Sequence, residues 1–325
     1  MRVRTGDTVD TSLLFEPLAI KHKILRNRIV LPPMVTLRDL TTPEAARWYG
    51  ERSAGGTALV IVEATSVNRF GSELTAENLK PLVEAIHVGG ALAAIQLFPV
   101  TIEFPKVEDP PTPNSVSLTE IEKIIKAYQV AAEICGEAGF DGVEPHGAHN
   151  YLINQFFSME QNLRMDDFGG SIEARMEFGL RILRISRSVC DRYGMLLLYR
   201  HTPIGQGYGV DESLLFVNEL VKSGLDILDV SPSSYERPGD RAAPFKRFNI
   251  PVIAVGELDV VDRAMEVLEE GRADLVAIGR GLIADPRWPQ KVKASRIEDV
   301  VVCQKCDELC HGNLQLGIPV ACTEW

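Results

Sequence analysis

The sequence has 325 residues, 45% of them hydrophobic, and its 45 acidic and 34 basic residues give a formal net charge of -11. A chain of this length buries a substantial core in one or two domains. The acidic balance argues against a protein that binds nucleic acid or an anionic membrane, because both need a basic surface. An enzyme that acts on a small molecule is the ordinary expectation.

The N-terminal segment contains no long apolar stretch, so residues 1–23 predict neither a signal peptide nor a membrane anchor. No run in the chain approaches the roughly 20 apolar residues that a membrane-spanning helix needs. Most of the six cysteines are clustered near the C-terminus rather than dispersed as in disulfide-rich secreted proteins. These features together predict a protein of the reducing cytoplasm.

The predicted elements begin with a small hairpin in residues 14–30, LFEPLAIKHKILRNRIV, which is suited to closing the bottom of a barrel. Eight apolar, β-branched runs follow, at 29–34, 58–64, 92–97, 142–146, 196–202, 227–232, 251–257 and 275–280. Near-continuous apolar runs are typical of parallel strands that are covered on both faces. Between them lie amphipathic helical patterns, such as 118–139, which opens with a Thr119 and Glu122 capping box, and 171–190, which opens with Ser171.

Eight alternations of strand and helix predict an α/β protein with a (β/α)8 barrel rather than an open doubly wound sheet. In such a barrel the functional residues lie at the carboxyl ends of the strands. Those ends carry Met34, Ala64, Gln96, His146, His149, Arg200, Gly256, Gly279 and Arg280. The glycines after the last two strands suit a phosphorylated cofactor, because backbone N–H groups approach an anion most closely where no Cβ intervenes.

The stretch 139–178 reads GFDGVEPHGAHNYLINQFFSMEQNLRMDDFGGSIEARMEF. It closely resembles the signature of the Old Yellow Enzyme family, which are barrel oxidoreductases that use FMN. The stretches LFEPLAIKHKILRNRIVLPPM, VEATSV, AIQL, YRHT and GRADLVAIGRGLIADP agree with this resemblance. It extends from about residue 14 to the end of the chain and implies an FMN-dependent oxidoreductase.

The resemblance implies an FMN site at the strand ends, with contacts from Pro32, Pro33, Met34, Ala64, Gln96, His146, Arg200, Gly256, Gly279 and Arg280. Gln96 is expected to hydrogen-bond the pyrimidine edge of the ring. Arg200 is expected near N1 and O2, where a fixed guanidinium stabilises the negative charge that develops on reduction. Arg280 and the two glycines are expected to hold the phosphate.

The catalytic residues that the resemblance implies are His146, His149 and Tyr151. The two histidines are expected to bind a substrate carbonyl or nitro oxygen, and Tyr151 to donate a proton to the α-carbon. Without this context, two histidines three residues apart are more often surface or packing residues. A tyrosine in an apolar segment is likewise often part of the core.

The C-terminal segment contains Cys303, Cys306, Cys310 and Cys322 in the spacing C-x2-C-x3-C-x11-C. Four thiolates bind zinc or an iron–sulfur cluster, and the spacing alone does not decide between them. Zinc ribbons usually pair two short C-x2-C knuckles, which the lone Cys322 does not complete. The spacing resembles the family branch of 2,4-dienoyl-CoA reductase and trimethylamine dehydrogenase, which implies a 4Fe–4S cluster that relays electrons to or from FMN.

Two local departures from the family pattern affect the expected substrate. After Gln96-Leu97, where many ene-reductases continue with His-Ala-Gly-Arg, this chain has Phe98, Pro99, Val100 and Thr101. Val35 and Leu37 also stand near positions that are often polar in the family. An apolar wall of this kind predicts a more hydrophobic, unsaturated substrate.

The expected domains are an FMN-binding barrel with its hairpin at 1–298 and a cysteine-rich segment at 299–325. Cluster-bearing relatives usually continue into domains that bind FAD or ADP and a nicotinamide nucleotide. A truncated chain and a natural single-domain form both fit this sequence. In the second form, electrons would come from a partner such as a ferredoxin or flavoprotein, or NAD(P)H would reduce FMN directly. The resemblance also implies a homo-oligomer.

Three functions compete at this stage. The first is an ene-reductase that transfers hydride to the activated C=C bond of an α,β-unsaturated carbonyl or thioester. The second is an amine dehydrogenase or demethylase of the same family, which would pass electrons outward through the cluster. The third is a non-catalytic electron-transfer flavoprotein subunit, which the apolar Phe98, Pro99 and Leu37 support.

Overall fold

The protein forms a closed eight-stranded parallel barrel, in a computed structural model that describes residues 10–100, 110–232, 237 and 239–325. Its strands are β3 (Ile29–Leu31), β4 (Leu59–Ser66), β5 (Leu92–Phe98), β6 (Gly142–Gly147), β7 (Leu196–His201), β8 (Ile227–Val230), β9 (Val252–Val255) and β10 (Leu275–Ala277). They follow one another around the barrel in chain order, and β10 closes it by pairing with β3. The predicted (β/α)8 barrel is therefore confirmed. Residues 1–9 and Thr101, which enter the sequence-based predictions, lie outside the described residues.

Helices occur between successive barrel strands and after the last one. They are α1 (Pro43–Ala54), α2 (Ala76–Val88), α3 (Leu118–Ala138), α4 (Leu152–Phe157), α5 (Ile172–Tyr193), α6 (Val210–Lys222), α7 (Val261–Glu269), α8 (Arg280–Ala284), α9 (Trp288–Lys293) and α10 (Asn313–Gln315). Within the described ranges, no helix combines the length and the apolar character that crossing a bilayer requires.

The start of α3 differs from the prediction. Its N-cap is Ser117, whose Oγ accepts a hydrogen bond from the Glu120 backbone N–H, while the Glu120 carboxylate accepts one from the Ser117 N–H. The predicted Thr119 and Glu122 have the same spacing, but the pair that comes first in the chain forms the capping box. Glu122 instead pairs with Arg181 of α5 through two contacts of 2.5 and 2.7 Å. The predicted cap at Ser171 is confirmed.

The hairpin predicted before the first barrel strand forms from β1 (Leu18–Ile20) and β2 (Lys23–Leu25), which pair antiparallel. Ile20 and Leu25 pack into an apolar cluster with the first residues of the barrel strands, such as Leu59 and Leu275. Two lysines of the hairpin also reach carboxylates that precede barrel strands: Lys21 contacts Asp226 at 2.5 Å, and Lys23 contacts Asp141 at 2.6 Å. The hairpin thus closes the amino-terminal end of the barrel and leaves the opposite end open for a site.

The barrel interior changes from apolar to polar along its axis. Its lower part is filled by aliphatic side chains that include Ile61, Leu198 and Ile227. Toward the carboxyl ends of the strands it contains buried polar groups: Glu63, Gln96, Glu144, His146, Arg200 and Asp229. Burying so many polar groups is unfavourable unless they are hydrogen-bonded, so this end of the barrel is the candidate site.

The C-terminal segment packs against the barrel. The Val320 N–H donates to the Thr36 carbonyl, the Val301 N–H to the Asp285 carboxylate, and the Trp325 indole to the Ile283 carbonyl. A short π-helical turn at Glu308–Gly312 carries Cys310 and precedes α10. The division of the chain at residues 298 and 299 stays a prediction.

Candidate active site

A cavity with an open volume of about 740 Å³ lies at the carboxyl end of the barrel. Seven of the residues predicted to hold a cofactor line it: Pro32, Pro33, Met34, Arg200, Gly256, Gly279 and Arg280. Glu257 and two residues of the C-terminal segment, Cys303 and Lys305, also line it. The fold therefore brings together strand ends that are far apart in the sequence, and the C-terminal segment borders the same cavity.

The glycines of this cavity leave room that a side chain would fill. A Cβ built on Gly279 would lie 3.2 Å from the Met34 sulfur, which is closer than ordinary contact. Gly256 has φ = +127°, a conformation that residues with a Cβ rarely adopt. Both glycines border the part of the cavity where the barrel's usual phosphate site is built from the last two strand loops.

We expect that replacing Gly256 with alanine reduces the amount of FMN that co-purifies with the protein. The Cβ imposes a backbone penalty of about 1–2 kcal/mol and disturbs the loop that borders the cavity. Gly271→Ala is the matched control, since Gly271 also has a positive φ, of +63°, but has nothing within 4 Å of an added Cβ. An equal loss of bound FMN in both variants, measured by flavin absorbance per chain, would show that Gly256 does not border the cofactor.

Two cations stand at the rim of the cavity, and each is paired with a carboxylate. Arg280 contacts Asp307 at 2.9 Å. Lys305 pairs with Glu257, which also pairs with Arg263. Sequence reasoning missed Lys305, and the only signal for it was its position inside the CQKC stretch. Exposed pairs of this kind are weak, so both cations can exchange their partners for a phosphate.

Polar side chains on four neighbouring strands, β5 to β8, form a hydrogen-bonded group that includes Arg200 of the cavity. The Gln96 amide donates to Glu144 at 2.7 Å. Arg200 donates to Asp229 at 2.7 Å and to the Ser231 hydroxyl at 2.9 Å. Arg200 Nε is buried and has no hydrogen-bond partner among the described residues. An unsatisfied guanidinium N–H that borders a cavity fits a ligand with an acceptor atom, as FMN has.

Ala64 lies at an irregularity of β4, where the pairing with β5 shifts register between Val62 and Thr65. Such bulges re-aim side chains beside active sites. The preceding residue, Glu63, is buried and accepts hydrogen bonds from the Thr36 N–H, the Thr36 hydroxyl and the Tyr49 hydroxyl. Burial raises the pKa of Glu63 to about 7. Glu63 therefore fixes the loop that follows Met34, a role that the sequence did not indicate.

His146, His149, Tyr151 and Phe98 form an edge-to-face aromatic cluster at one side of the site. The ring of His146 lies 5.1 Å from His149, 5.2 Å from Tyr151 and 5.4 Å from Phe98. His149 has φ = +58°, and this strained backbone is typical of functional turns. Tyr151 is 42% exposed, which rules out the alternative that it is part of the core. Strand pairing sets His146 beside Arg200 and so joins the cluster to the cavity.

Both histidines are held in the neutral form. The pKa of His146 lies well below its ordinary value. Burial is the main cause, and the nearby His149 and Arg200 lower it further. Part of the His149 residue is exposed to solvent, but its imidazole ring lies against the Ser231 hydroxyl. Loss of hydration, followed by the charge of Arg200, lowers the pKa of His149 as well. At neutral pH each ring therefore carries one N–H and no charge.

The hydrogen-bond network assigns the position of the proton in the His146 ring. His146 Nδ1 accepts from the Ala148 N–H at 3.3 Å, so its proton is on Nε2. The Ser231 hydroxyl accepts from Arg200 and lies 2.9 Å from His149 Nε2, to which it donates or from which it accepts according to the His149 tautomer. The Nε2–H of His146 is therefore available to a ligand.

The four cysteines of the C-terminal segment line one cavity, with an open volume of about 310 Å³, which Arg280 also borders. Among the described residues, no three His, Cys, Asp or Glu side chains are close enough together to hold a metal ion. A zinc ion needs four ligand atoms about 2–2.3 Å from one point. A four-iron cluster takes one thiolate at each of four separate irons, so its thiolates stay farther apart. The four cysteines around this cavity are the candidate ligands of such a centre.

The fold and this site define a barrel enzyme with a cofactor cavity at the carboxyl ends of its strands. The chain belongs to the NADH:flavin oxidoreductase / NADH oxidase family, whose model matches residues 13–299. This confirms the predicted Old Yellow Enzyme membership and the prediction of an FMN-dependent oxidoreductase. Family membership implies FMN and a nicotinamide nucleotide as cofactors.

Two curated relatives show how the family varies in length. The chain is 33% identical to an NADH oxidase from Thermoanaerobacter brockii over 92% of this chain and 53% of the relative. It is 34% identical to an NADPH dehydrogenase from Clostridium acetobutylicum over 84% of this chain and 92% of the relative. The chain thus spans about half of the first relative and nearly all of the second.

Solved structures agree with the fold. Histamine dehydrogenase from Rhizobium sp. 4-9 is 26% identical, with a TM-score of 0.83 over 97% of this chain and 52% of that structure. Morphinone reductase, solved in complex with tetrahydroNAD, is 27% identical, with a TM-score of 0.76 over 87% of this chain and 91% of that structure. The solved structures that resemble this chain therefore include both a histamine dehydrogenase and a morphinone reductase.

Proposed function

We propose that the protein is an ene-reductase that acts on the activated C=C bond of an α,β-unsaturated carbonyl or thioester. FMN, when bound, supplies the hydride for this reaction. The observation that carries the proposal is the pair of neutral imidazoles, His146 and His149, which lie together beside Arg200. The residues proposed to hold the cofactor are Pro32, Pro33, Met34, Ala64, Gln96, His146, Arg200, Gly256, Gly279 and Arg280.

The imidazole N–H groups of His146 and His149 are proposed to bind the substrate oxygen. Reduction of the conjugated double bond develops negative charge on this oxygen, and preorganised donors stabilise that charge. Neutral donors suit this role because they bind the oxygen before and during the reaction without changing their own protonation. Their lowered pKa values keep them neutral throughout the physiological pH range.

Tyr151 is proposed to give the proton that the α-carbon needs. Its ring packs edge-on to Phe98 at 4.7 Å and to His146 at 5.2 Å, which holds it at the same side of the site as the two histidines. Because Tyr151 is partly exposed, water can replace its proton between turnovers. A phenol is a competent general acid when it lies close to the developing carbanion.

The substrate is proposed to be an apolar, unsaturated small molecule. Phe98 is 2% exposed and covers the side of the histidine cluster where many family members have polar residues. Val35 and Leu37 add apolar surface on the loop that follows Met34. Burial of this apolar surface favours hydrophobic substituents on the substrate.

The C-terminal cysteines are proposed to hold a 4Fe–4S cluster that exchanges electrons with FMN. Arg280 borders both cavities, so the two centres would be neighbours. The external electron source is proposed to be NADH or NADPH, or a ferredoxin or flavoprotein partner that reaches the cluster.

Amine oxidation is the second candidate, because histamine dehydrogenase shares the fold over nearly the whole chain. It fits the site less well, since a protonated amine is bound by carboxylates or aromatic faces and not by imidazole N–H donors. A non-catalytic electron-transfer subunit would have no use for two neutral histidines beside a cofactor cavity. The ene-reductase is therefore the function that the site supports best.

The test is to reduce the bound flavin anaerobically with NADH or dithionite and then add one equivalent of cyclohexenone, crotonyl thioester or a tertiary amine. We expect the oxidised flavin spectrum to return stoichiometrically with the enone or the enoyl thioester and not with the amine. Flavin that stays reduced with every unsaturated acceptor would contradict ene reduction. Reduction of the oxidised flavin by the tertiary amine would establish the second candidate instead.

A further inference from the structure

Two buried carboxyl groups lie together in the barrel below the candidate FMN cavity. Glu144 of β6 and Asp229 of β8 are both 0% exposed. One oxygen of each has a strong partner, since Glu144 Oε1 accepts from the Gln96 amide and Asp229 Oδ2 accepts from Arg200, both at 2.7 Å. The other two oxygens, Glu144 Oε2 and Asp229 Oδ1, receive no hydrogen bond from a described donor.

The two carboxyl groups interact directly, since a side-chain hydrogen bond between them affects the pKa of each. Two ionised carboxylates in contact repel strongly when they are buried, and one of the two then keeps its proton. A single proton between Glu144 Oε2 and Asp229 Oδ1 would satisfy both orphan oxygens at once. The geometry therefore calls for one shared proton and for one negative charge in the pair.

The surrounding charges decide which group holds this proton. Asp229 has the guanidinium of Arg200 as its direct partner at 2.7 Å, whereas the hydrogen-bond donor to Glu144 is the neutral amide of Gln96. The other titratable neighbour on β6 is His146, which is neutral. Burial, followed by the charge of Asp229, raises the pKa of Glu144 well above its ordinary value. The proton therefore belongs to Glu144.

We propose that Glu144 is a protonated positioning residue, whose O–H donates to Asp229 and whose carbonyl oxygen accepts from the Gln96 amide. This arrangement fixes the Gln96 side chain with its own oxygen left to accept from a ligand N–H. It also leaves Arg200 with one countercharge instead of two. The inference rests on the proposed function to the extent that Gln96 and Arg200 face the flavin ring.

The first test observes Glu144 directly in the purified holoprotein. The side-chain carboxyl carbons of glutamate are labelled with ¹³C and observed by NMR. At pH 8 we expect one resonance to keep the chemical shift of a protonated carboxyl group. This resonance is expected to be absent from the Glu144→Gln variant. Glu63 is distinguishable because its pKa of about 7 makes it titrate below that pH. The proposal is wrong if the resonance that disappears in Glu144→Gln has the chemical shift of an ionised carboxylate at pH 8. This readout does not depend on catalysis, so it stands apart from the enone test.

The second test measures the midpoint potential of the bound flavin in three variants. Glu144→Gln mimics the protonated acid, so its potential is expected to equal that of the wild type. Asp229→Asn is expected to change the potential little, because Glu144 then ionises and replaces the countercharge of Arg200. The double variant loses that charge, and its potential is expected to rise. A clear rise in Glu144→Gln would mean that Glu144 carries a negative charge in the wild type, against the proposal.

A third variant separates positioning from packing. Glu144→Ala removes the acceptor of the Gln96 amide, so FMN binding is expected to weaken about tenfold. Glu144→Gln keeps that acceptor and is expected to bind FMN as the wild type does, as measured by flavin fluorescence titration. Equal weakening in both variants would contradict the proposed role. Circular dichroism confirms that each variant is folded before its affinity is compared.

Discussion

Replacing His146 with alanine is expected to reduce kcat/KM for an enone roughly 10²- to 10³-fold, which is the usual effect of removing one donor to a developing oxyanion. The side chain is buried at the end of β6 beside Arg200, and its Nδ1 is occupied by the Ala148 N–H. Only Nε2–H is left for a substrate, so the variant loses the whole contribution of this ring. FMN remains bound, because the other proposed contacts to the cofactor come from different strand ends.

Two observations distinguish a lost donor from a damaged site. His146→Asn keeps an N–H donor of similar reach and is expected to recover part of the activity, whereas alanine is not. The ratio of flavin to protein, read from the absorbance spectrum, is expected to stay the same in all three proteins. Unchanged turnover in His146→Ala would contradict the proposed function, and loss of flavin from that variant would show that His146 mainly binds the cofactor.

The fold could be predicted from the sequence because parallel barrel strands are buried on both faces. Stretches such as 58–64 and 196–202 are nearly continuous in apolar residues, and both became strands of the barrel. The error at the start of α3 has a local cause, since Ser117 and Thr119 both have a glutamate three residues later. Only the backbone geometry decides which pair caps the helix.

The site was predictable where a residue stands at the end of a strand. Met34, Arg200, Gly256, Gly279 and Arg280 were expected for that reason, and they line one cavity. The family resemblance supplied the roles of His146 and His149, and the structure adds that both rings are neutral and that the His146 proton is on Nε2.

The residues that sequence reasoning missed act across the barrel. Glu144 and Asp229 interrupt apolar runs on strands that are 85 positions apart in the sequence and separated by β7 in the sheet. Nothing in either run indicates the other, because their contact exists only once the barrel has closed. Lys305 was missed for a similar reason, since its position at the cavity depends on how the C-terminal segment packs against the barrel.

The second large effect is expected when one of the four C-terminal cysteines is replaced. Protein purified anaerobically is expected to contain about four iron and four sulfide per chain, the composition of a 4Fe–4S cluster. Replacing Cys310 with alanine removes one of the four thiolates around the cavity and is expected to abolish most of the bound iron and sulfide. The flavin content is expected to persist, because the barrel supplies the proposed FMN contacts.

Cys135→Ala is the matched control for this variant. Cys135 is buried in the core, and burial raises the pKa of its thiol well above the ordinary value, so it does not supply the thiolate that a metal needs. Iron and sulfide are therefore expected to be unchanged in that variant. Wild-type protein with one zinc per chain would assign the cysteines a structural role. Protein with FMN and no metal would remove the proposed relay, and direct reduction by NADH or NADPH would then account for the electron supply.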